Sequence, residues 1–155
     1  MTRTEPRSAR HIVVMGVSGS GKSSVAARLA AELGYTFGEG DDFHAPSNLA
    51  KMAAEEPLSD ADRAPWLAAI AAWMRTRDAN GESSVVACSA LKRRYRDVLS
   101  AAARTVCFVQ LAVPPDVLRE RLRRRAHFMP PELLRSQLHD LEPSEADEAG
   151  YTLVS

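Results

Sequence analysis

Short apolar runs alternate along this chain with longer segments typical of helices. Runs rich in β-branched and other apolar residues predict strands at about 11–15, 35–37, 84–88, 106–113 and 151–154. Helix-forming composition, apolar spacing of three and four residues, and start signals predict helices at about 22–33, 59–80, 93–103, 114–125 and 130–141. Residues 38–48 are expected to form a loop. The alternation predicts an α/β fold with a largely parallel sheet, in which ligands bind at the carboxyl ends of the strands.

The longest predicted helix has a clear start and one apolar face. Ser59 followed three residues later by Asp62 is a capping-box pattern, and Asn80-Gly81 ends the helix. The apolar stripe contains both tryptophans of the chain: Trp66, Leu67, Ile70, Trp73 and Met74. This spacing favours Trp66 and Trp73 as core residues over a role as a platform for a ligand.

The composition narrows the class of protein. With 155 residues, 45% of them hydrophobic, the chain is an ordinary globular sequence of one domain. Its 20 basic and 20 acidic residues cancel, which argues against general binding to nucleic acids or membrane surfaces. No segment approaches the ~18 apolar residues of a membrane span, and residues 1–10 lack the apolar stretch of a signal peptide. We expect a cytoplasmic protein with a disordered tail over 1–10, a single domain over 11–155, and Cys88 and Cys107 as reduced, buried thiols.

A phosphate-binding loop follows the first predicted strand. Residues 16–23 match the pattern G-x-x-x-x-G-K-[ST] at every fixed position, between a strand and a helix. Glycines let consecutive N–H groups surround a phosphate, and the helix adds its positive N-terminal end. Lys22 is expected to reach the β- and γ-phosphates, and the Ser23 hydroxyl to bind Mg²⁺. A fortuitous Gly/Ser turn is the alternative. The predicted phosphate-binding residues are Gly16, Val17, Ser18, Gly19, Ser20, Gly21, Lys22, Ser23 and Ser24.

An acidic loop follows the second predicted strand. Glu39, Asp41, Asp42 and His44 lie within six residues. If this loop shares a sheet edge with the phosphate-binding loop, one carboxylate could hold Mg²⁺ through water. Another could orient and deprotonate an attacking hydroxyl. The alternative is a solvated acidic turn.

Three cationic regions have two or more interpretations. Lys92, Arg93 and Arg96 follow the third strand and either bind an anion or form the solvated start of a helix. Arg63 forms either a surface ion pair or a contact to a substrate anion. Five arginines between 119 and 125 suit a mobile lid that stabilises a phosphoryl-transfer transition state. A solvated helix face and a nucleic-acid patch are the alternatives for that run.

Several segments together resemble the small P-loop gluconokinases, relatives of shikimate kinase in the nucleoside-monophosphate-kinase-like group. The similarity spans about residues 12–154, in the family's order. The particular segments are G-D-D-F-H at 40–44, P-L-S-D-A-D-R at 57–63, C-S-A-L-K at 88–92 and H-F-M-P at 127–130. The resemblance implies a five-stranded parallel sheet of order 2-3-1-4-5 with a lid over about 121–131. It also implies ATP- and Mg²⁺-dependent phosphorylation of D-gluconate to 6-phosphogluconate.

The resemblance also implies roles for individual residues. Lys22, Asp41 and Arg125 would be catalytic, with Asp41 as the partner of the reacting hydroxyl. Arg121 and Arg125 would contact the ATP phosphates, and Ser23 and Glu39 would hold the metal. The implied substrate contacts are Asp41, His44, Arg63, Lys92 and His127. The family is often dimeric, so a homodimer is possible. A kinase for shikimate or another small hydroxy acid, or a nucleotide-binding protein without turnover, remains the alternative.

The chain departs from the family pattern at three places. Glu39 stands where the family often has Asp, which lengthens the reach to the metal by one methylene. Ala126 replaces a common Gly before His127, which changes the flexibility expected of the lid. The chain ends at Ser155, where family members usually continue through an adenine-side loop and a last helix. We therefore expect the C-terminal helix to be absent.

Overall fold

A parallel five-stranded sheet forms the centre of the protein. The computed structural model describes residues 9–17, 20–54, 56–114, 116–118, 120, 138, 140–142 and 150–154. The strands are β1 His11–Met15, β2 Thr36–Glu39, β3 Ser84–Ala87, β4 Val106–Ala112 and β5 Gly150–Val154. Their order is β2-β3-β1-β4-β5, and every neighbouring pair is parallel. The expected strand order is confirmed.

The described helices connect and cover these strands. They are α1 Lys22–Leu33, α2 Pro46–Ala53, α3 Asp60–Ala79 and α4 Arg93–Ser100, with a short 3₁₀ helix at Gly40–Phe43. The backbone is also helical at residues 116–118, 120, 138 and 140. In the described part of the chain, no helix combines the length and the apolar character that crossing a membrane requires.

Both faces of the sheet are covered, as a parallel sheet requires. On one face, Val13 and Val86 pack with Trp66, Ile70 and other residues of the α3 stripe. On the other face, Val14 belongs to a cluster with Ala26 and Ala30 of α1 and with Val85, Ala87 and Leu111. Successive residues of β1 thus face opposite layers, because side chains alternate along a strand.

The predicted helix ends are largely confirmed. Gly34 ends α1 in the left-handed conformation, with φ of 71°. Ser59 and Asp62 form the predicted capping box: the Asp62 N–H donates to Ser59 Oγ at 3.1 Å, and the Ser59 N–H donates to Asp62 Oδ2 at 2.9 Å. Helix α3 ends at Ala79, with Asn80 as its C-cap.

The prediction of a loop over 38–48 is wrong. Strand β2 continues to Glu39, the 3₁₀ helix follows, and α2 begins at Pro46. Helix α2 buries Asn48 rather than an apolar stripe, so hydrophobic periodicity carries no signal for it. Pro46 at the first turn was the available signal.

Hydrogen bonds stabilise the amino ends of the strands, at the edge of the sheet away from the predicted site. His11 is buried, with Nδ1 at 2.7 Å from Ser84 Oγ and Nε2 at 3.0 Å from Asp78 Oδ1. The Arg10 N–H donates to Ser83 Oγ at 2.9 Å, and Ala9 is buried. Residues 9 and 10, which the expected tail included, therefore have defined contacts; residues 1–8 lie outside the described residues.

The two cysteines are free thiols, as expected. Cys88 is buried and Cys107 is half-buried, and burial raises the pKa of both thiols. The expectation of buried thiols therefore holds for Cys88, whereas Cys107 is only half-buried.

Candidate active site

The turn between β1 and α1 can be built only with glycine at two positions. Gly16 has φ of 155° and Gly21 has φ of 90°. A Cβ on Gly16 would lie 2.6 Å from Ser20 Oγ and 3.1 Å from the Leu111 carbonyl oxygen. Ser18 and Gly19 lie outside the described residues.

Backbone donors at the start of α1 suit a phosphate ligand. Gly21 is the N-cap of α1, and no side chain caps the helix there. The helical hydrogen-bond series begins with the Val25 N–H, which donates to the Gly21 carbonyl at 3.0 Å. The N–H groups of Lys22, Ser23 and Ser24 precede this series, so they are positioned to donate to an anion.

The acidic loop is held against the end of β3 by its backbone. Glu39 pairs with Ala87 in the sheet, and a Cβ on Gly40 would lie 2.2 Å from the Ala87 carbonyl oxygen. Glycine is therefore required at position 40 for this close approach. The Trp66 indole N–H donates to the Gly40 carbonyl at 2.7 Å. Glu39 Oε1 accepts from the Asp41 N–H at 3.4 Å, capping the 3₁₀ helix.

Cys88 directly follows β3 and adjoins both loops: its N–H donates to the Val14 carbonyl of β1 at 3.0 Å, and a Cβ on Gly40 would lie 3.2 Å from its Cα. Burial raises the pKa of its thiol to about 12, and the positive charge of Lys22 opposes that shift while Asp41 and Glu39 add to it. All three charges therefore act on one atom at the carboxyl end of β3. The structure thus places the predicted phosphate-binding loop and the acidic loop side by side at the carboxyl end of β3.

His44 lies on the aromatic surface of Trp66. The two rings stack with centroids 4.2 Å apart and planes 12° apart, and Asn48 Nδ2 lies 3.2 Å from His44 Nδ1. Burial lowers the pKa of His44; the negative charge of Asp41 opposes this shift and the positive charge of Arg63 adds to it. His44 is therefore electrostatically coupled to both Asp41 and Arg63.

Arg63 is buried rather than part of a surface ion pair. Its side chain donates from one terminal nitrogen to the Tyr95 hydroxyl at 3.0 Å and to Asp140 Oδ2 at 3.1 Å. The interpretation of Arg63 as part of a surface ion pair is therefore wrong. Because a buried cation needs partners, Asp140 and Tyr95 account for its stability in this position.

Lys92 belongs to the same polar network. It donates to Asp60 Oδ1 at 3.1 Å, and the Tyr95 hydroxyl donates to the same carboxylate oxygen. Arg94 adds an ion pair to Asp60 Oδ2 at 2.5 Å. The hydrogen bonds from Tyr95 and Lys92 lower the pKa of Asp60, whereas the bond to Asp60 raises the pKa of Lys92.

The other two arginines near the end of β3 have structural contacts. Arg96 is buried and donates to the carbonyls of Ala90 at 3.0 Å and Leu91 at 3.3 Å. These bonds hold a turn in which Ala90 has a positive φ of 42°. Arg93 forms an ion pair with Asp97 at 3.1 Å. These contacts argue against anion binding by Arg93 and Arg96. The alternative of a solvated helix start is wrong for Arg96, which is fully buried.

The donor set suits Mg²⁺ only together with phosphate and water. Within the described residues, no three His, Cys, Asp or Glu side chains are grouped so that they could hold a metal ion. Mg²⁺ commonly keeps waters and uses one or two protein oxygens plus substrate phosphates. Ser23 at the start of α1 and Glu39 at the end of β2 are oxygen donors of that kind and fit this requirement.

Part of the predicted site lies outside the described residues. This applies to Arg121, Arg125, His127 and the lid over 121–131. A cavity of about 360 Å³ adjoins the described phosphate loop. It is bounded by Gly16, Val17, the end of β4, Leu138 and Leu141.

Comparison with known proteins decides the family. A family model described as an AAA domain matches residues 12–143. The gluconokinase of Gluconobacter oxydans (strain 621H) is 49% identical over 140 residues, which cover 90% of this chain and 79% of that protein. The chain belongs to the gluconokinase family.

Solved structures agree with this gluconokinase assignment. A gluconokinase from Sinorhizobium meliloti 1021 superposes with a TM-score of 0.86 at 47% identity, covering 96% of this chain and 83% of that one. An unliganded sugar kinase from Janibacter sp. HTCC2649 superposes with a TM-score of 0.90 at 50% identity, covering 94% and 85%. The expected P-loop kinase fold is confirmed.

Sequence reasoning missed several residues that build the site. Trp66 is a core residue, as expected, but it also anchors the acidic loop and stacks on His44. Asn48 and Tyr95 were not singled out as polar contacts of His44 and Arg63. His44 precedes the N-cap of α2, so its contact with Asn48 is not an intrahelical pair and had no signal in the sequence.

Proposed function

We propose that the protein transfers the γ-phosphoryl group of ATP to D-gluconate, giving 6-phospho-D-gluconate and ADP. One observation carries this proposal: the backbone of Cys88, at the end of β3, is bonded to Val14 of β1, which leads into the phosphate-binding loop, and adjoins Gly40, next to Asp41. A phosphate-binding cation and a carboxylate at the same strand end are what a phosphoryl donor and an acceptor hydroxyl require. Membership of the gluconokinase family supports gluconate as the acceptor.

Asp41 is the proposed catalytic base. Its carboxylate is exposed near the buried end of β3, so a substrate hydroxyl can reach it. As the hydroxyl oxygen bonds to the γ-phosphorus, the bond to the β-phosphate oxygen breaks and the hydroxyl proton passes to Asp41. Lys22 and the N–H groups of the phosphate loop hold the ATP phosphates throughout.

Ser23 and Glu39 are the residues that we propose bind Mg²⁺. When bound, the ion neutralises negative charge on the β- and γ-phosphate oxygens. Oε1 of Glu39 accepts from the backbone N–H of Asp41, and Oε2 is the proposed oxygen toward the ion.

The remaining proposed contacts recognise gluconate. His44, Arg63 and Lys92 are linked by contacts. The Asn48 amide contacts His44 and the carbonyl of Asp62, which precedes Arg63, and both Arg63 and Lys92 contact Tyr95. We assign the gluconate carboxylate to the end near Arg63 and Lys92, whose positive charges suit it. Arg121, Arg125 and His127 remain proposals for the lid over 121–131.

The proposed setting is cytoplasmic. The reaction consumes ATP, and both cysteines are free thiols, as in a reducing compartment. The proposal includes a single kinase domain over 11–155 and a homodimer.

An ADP-release assay with a panel of acceptors tests this function. We expect ADP formation with D-gluconate and Mg²⁺, and loss of that activity in Lys22→Ala. The exposed Arg28 on α1, which pairs with Glu32 one turn further along the helix, provides the matched control: Arg28→Ala should retain activity. ADP formation with shikimate or another hydroxy acid, but not gluconate, would overturn the substrate assignment. ATP binding with no turnover on any acceptor would overturn the enzyme assignment.

A further inference from the structure

Asn48 is a buried polar residue for which the reaction as proposed gives no role. It is the buried position of α2, at 4% exposure. Its side-chain Nδ2 lies 2.9 Å from the carbonyl oxygen of Asp62 and 3.2 Å from Nδ1 of His44. The amide thus bridges the start of α3 and the imidazole of the acidic loop.

The Asp62 carbonyl determines which way the amide of Asn48 points. A carbonyl oxygen can only accept a hydrogen bond, so the NH₂ group of Asn48, and not its amide oxygen, must face it. The opposite orientation would place two acceptor oxygens against each other. The position of this carbonyl is fixed in turn, because Asp62 is held in the capping box with Ser59 and by its ion pair with Lys51 at 2.9 Å.

The same NH₂ group then determines the protonation of His44. An amide NH₂ offers only hydrogen atoms, so Nδ1 of His44 must accept. A nitrogen that accepts carries no proton. The neutral imidazole therefore carries its single proton on Nε2, and an imidazolium would place a second donor against the Asn48 NH₂ group.

We propose that Asn48 is a positioning residue that holds His44 as the neutral Nε2–H tautomer, so that His44 donates a hydrogen bond to an oxygen of gluconate. In this form His44 has no free lone pair toward the substrate and cannot serve as the base. The role of base is left to Asp41. The substrate part of this inference rests on the proposed function, whereas the tautomer does not.

The surroundings of His44 support this assignment. The Trp66 ring stacks on the imidazole at 4.2 Å and fixes its plane, and Trp66 is itself bonded to the Gly40 carbonyl. Burial and the nearby Arg63 charge disfavour the imidazolium, and Asp41 acts in the opposite direction. The imidazole is therefore restrained in both plane and protonation.

Nitrogen-15 NMR of the imidazoles tests the tautomer directly, without substrate. His44 is assigned among the four histidines of the chain by the signals that disappear in His44→Gln. We expect an unprotonated Nδ1 and a protonated Nε2 in the wild-type protein at neutral pH. In Asn48→Asp the carboxylate can accept, so Nδ1 should become protonated. Leu49→Ala, an exposed position on the same helix, is the matched control and should leave the tautomer unchanged.

Steady-state kinetics test the consequence for the substrate. In Asn48→Ala the imidazole loses its restraint, and the KM for gluconate should rise about 2- to 10-fold, the value of one hydrogen bond, while the KM for ATP stays constant. A protonated Nδ1 in the wild-type protein would overturn the proposal, even if the variants do not fold. An unchanged KM for gluconate in a folded Asn48→Ala variant would overturn the donor role. Absence of gluconate turnover in the wild type, with the expected tautomer, would instead overturn the proposed function.

Discussion

Trp66→Phe tests whether the hydrogen bond from the Trp66 indole to the Gly40 carbonyl holds the acidic loop in place. The substitution keeps an aromatic ring against His44 but removes the indole N–H, which donates to the buried Gly40 carbonyl at 2.7 Å. A buried carbonyl that loses its donor costs ~1–3 kcal/mol. The smaller ring leaves space in the core, which adds about 1 kcal/mol. We therefore expect the free energy of unfolding to fall by ~2–4 kcal/mol.

This loss should be accompanied by a change in gluconate binding. Domains of this kind unfold with ~5–15 kcal/mol, so most of that range leaves a folded variant whose kinetics can be measured. Because the lost bond holds the loop that carries Asp41 and His44, we expect the KM for gluconate to rise and the KM for ATP to stay nearly constant. Urea unfolding should be followed by far-UV circular dichroism, since tryptophan fluorescence itself changes.

Trp73→Phe is the matched control for this prediction. Trp73 lies on the same stripe of α3 but packs edge-on against Phe43, with its ring against Gly38. Its replacement should cost stability through packing and leave the KM for gluconate closer to the wild-type value. If both variants lose equal stability and neither changes the KM for gluconate, the bond from Trp66 to Gly40 does not hold the loop, and the reasoning fails.

Three further predictions concern separate parts of the molecule. Asp41→Asn should lower kcat by about 10²- to 10⁴-fold, with the Kd for ATP measured by calorimetry nearly unchanged; near-normal turnover would exclude Asp41 as the base. Asp78→Ala, at the far edge of the sheet, should cost ~1–3 kcal/mol of stability by removing the bond to buried His11 and leave kcat unchanged, so a loss of kcat in the folded variant would contradict this. The hydrogen bond from Lys51 and the backbone bond from Ser59 lower the pKa of Asp62 from 3.8 to about 2. The resulting stability is complete above about pH 4 and is lost as the pH falls toward 2, and Lys51→Met should flatten this decline in acid unfolding curves.

Local patterns in the sequence were sufficient for the main elements of the fold. Helix α1 has the predicted bounds, and the capping box of α3 forms as the spacing of Ser59 and Asp62 predicts. These features depend on residues a few positions apart. The strand order came instead from the resemblance to a known family, because order in a sheet depends on contacts between distant segments.

Helix α2 and the contacts of Arg63 could not be predicted in this way. Helix α2 buries an asparagine, so the apolar period that indicates most helices is missing. Arg63 pairs with Asp140, which lies 77 residues away in the chain. No local pattern identifies such a partner. The predicted roles of Arg121, Arg125 and His127 stay predictions.

By itself, the sequence determined that this protein has a phosphate-binding loop between a strand and a helix, and an acidic loop after the next strand. Glycine, lysine and carboxylate positions carry that information, because their chemistry is required at fixed spacing. Only the tertiary structure decided how the side chains and backbone of the acidic loop are oriented. That choice depends on the Trp66 bond to Gly40 and on the Asn48 amide between Asp62 and His44. Hydrogen bonds of this kind form only after folding has brought their donors and acceptors within about 3 Å of each other.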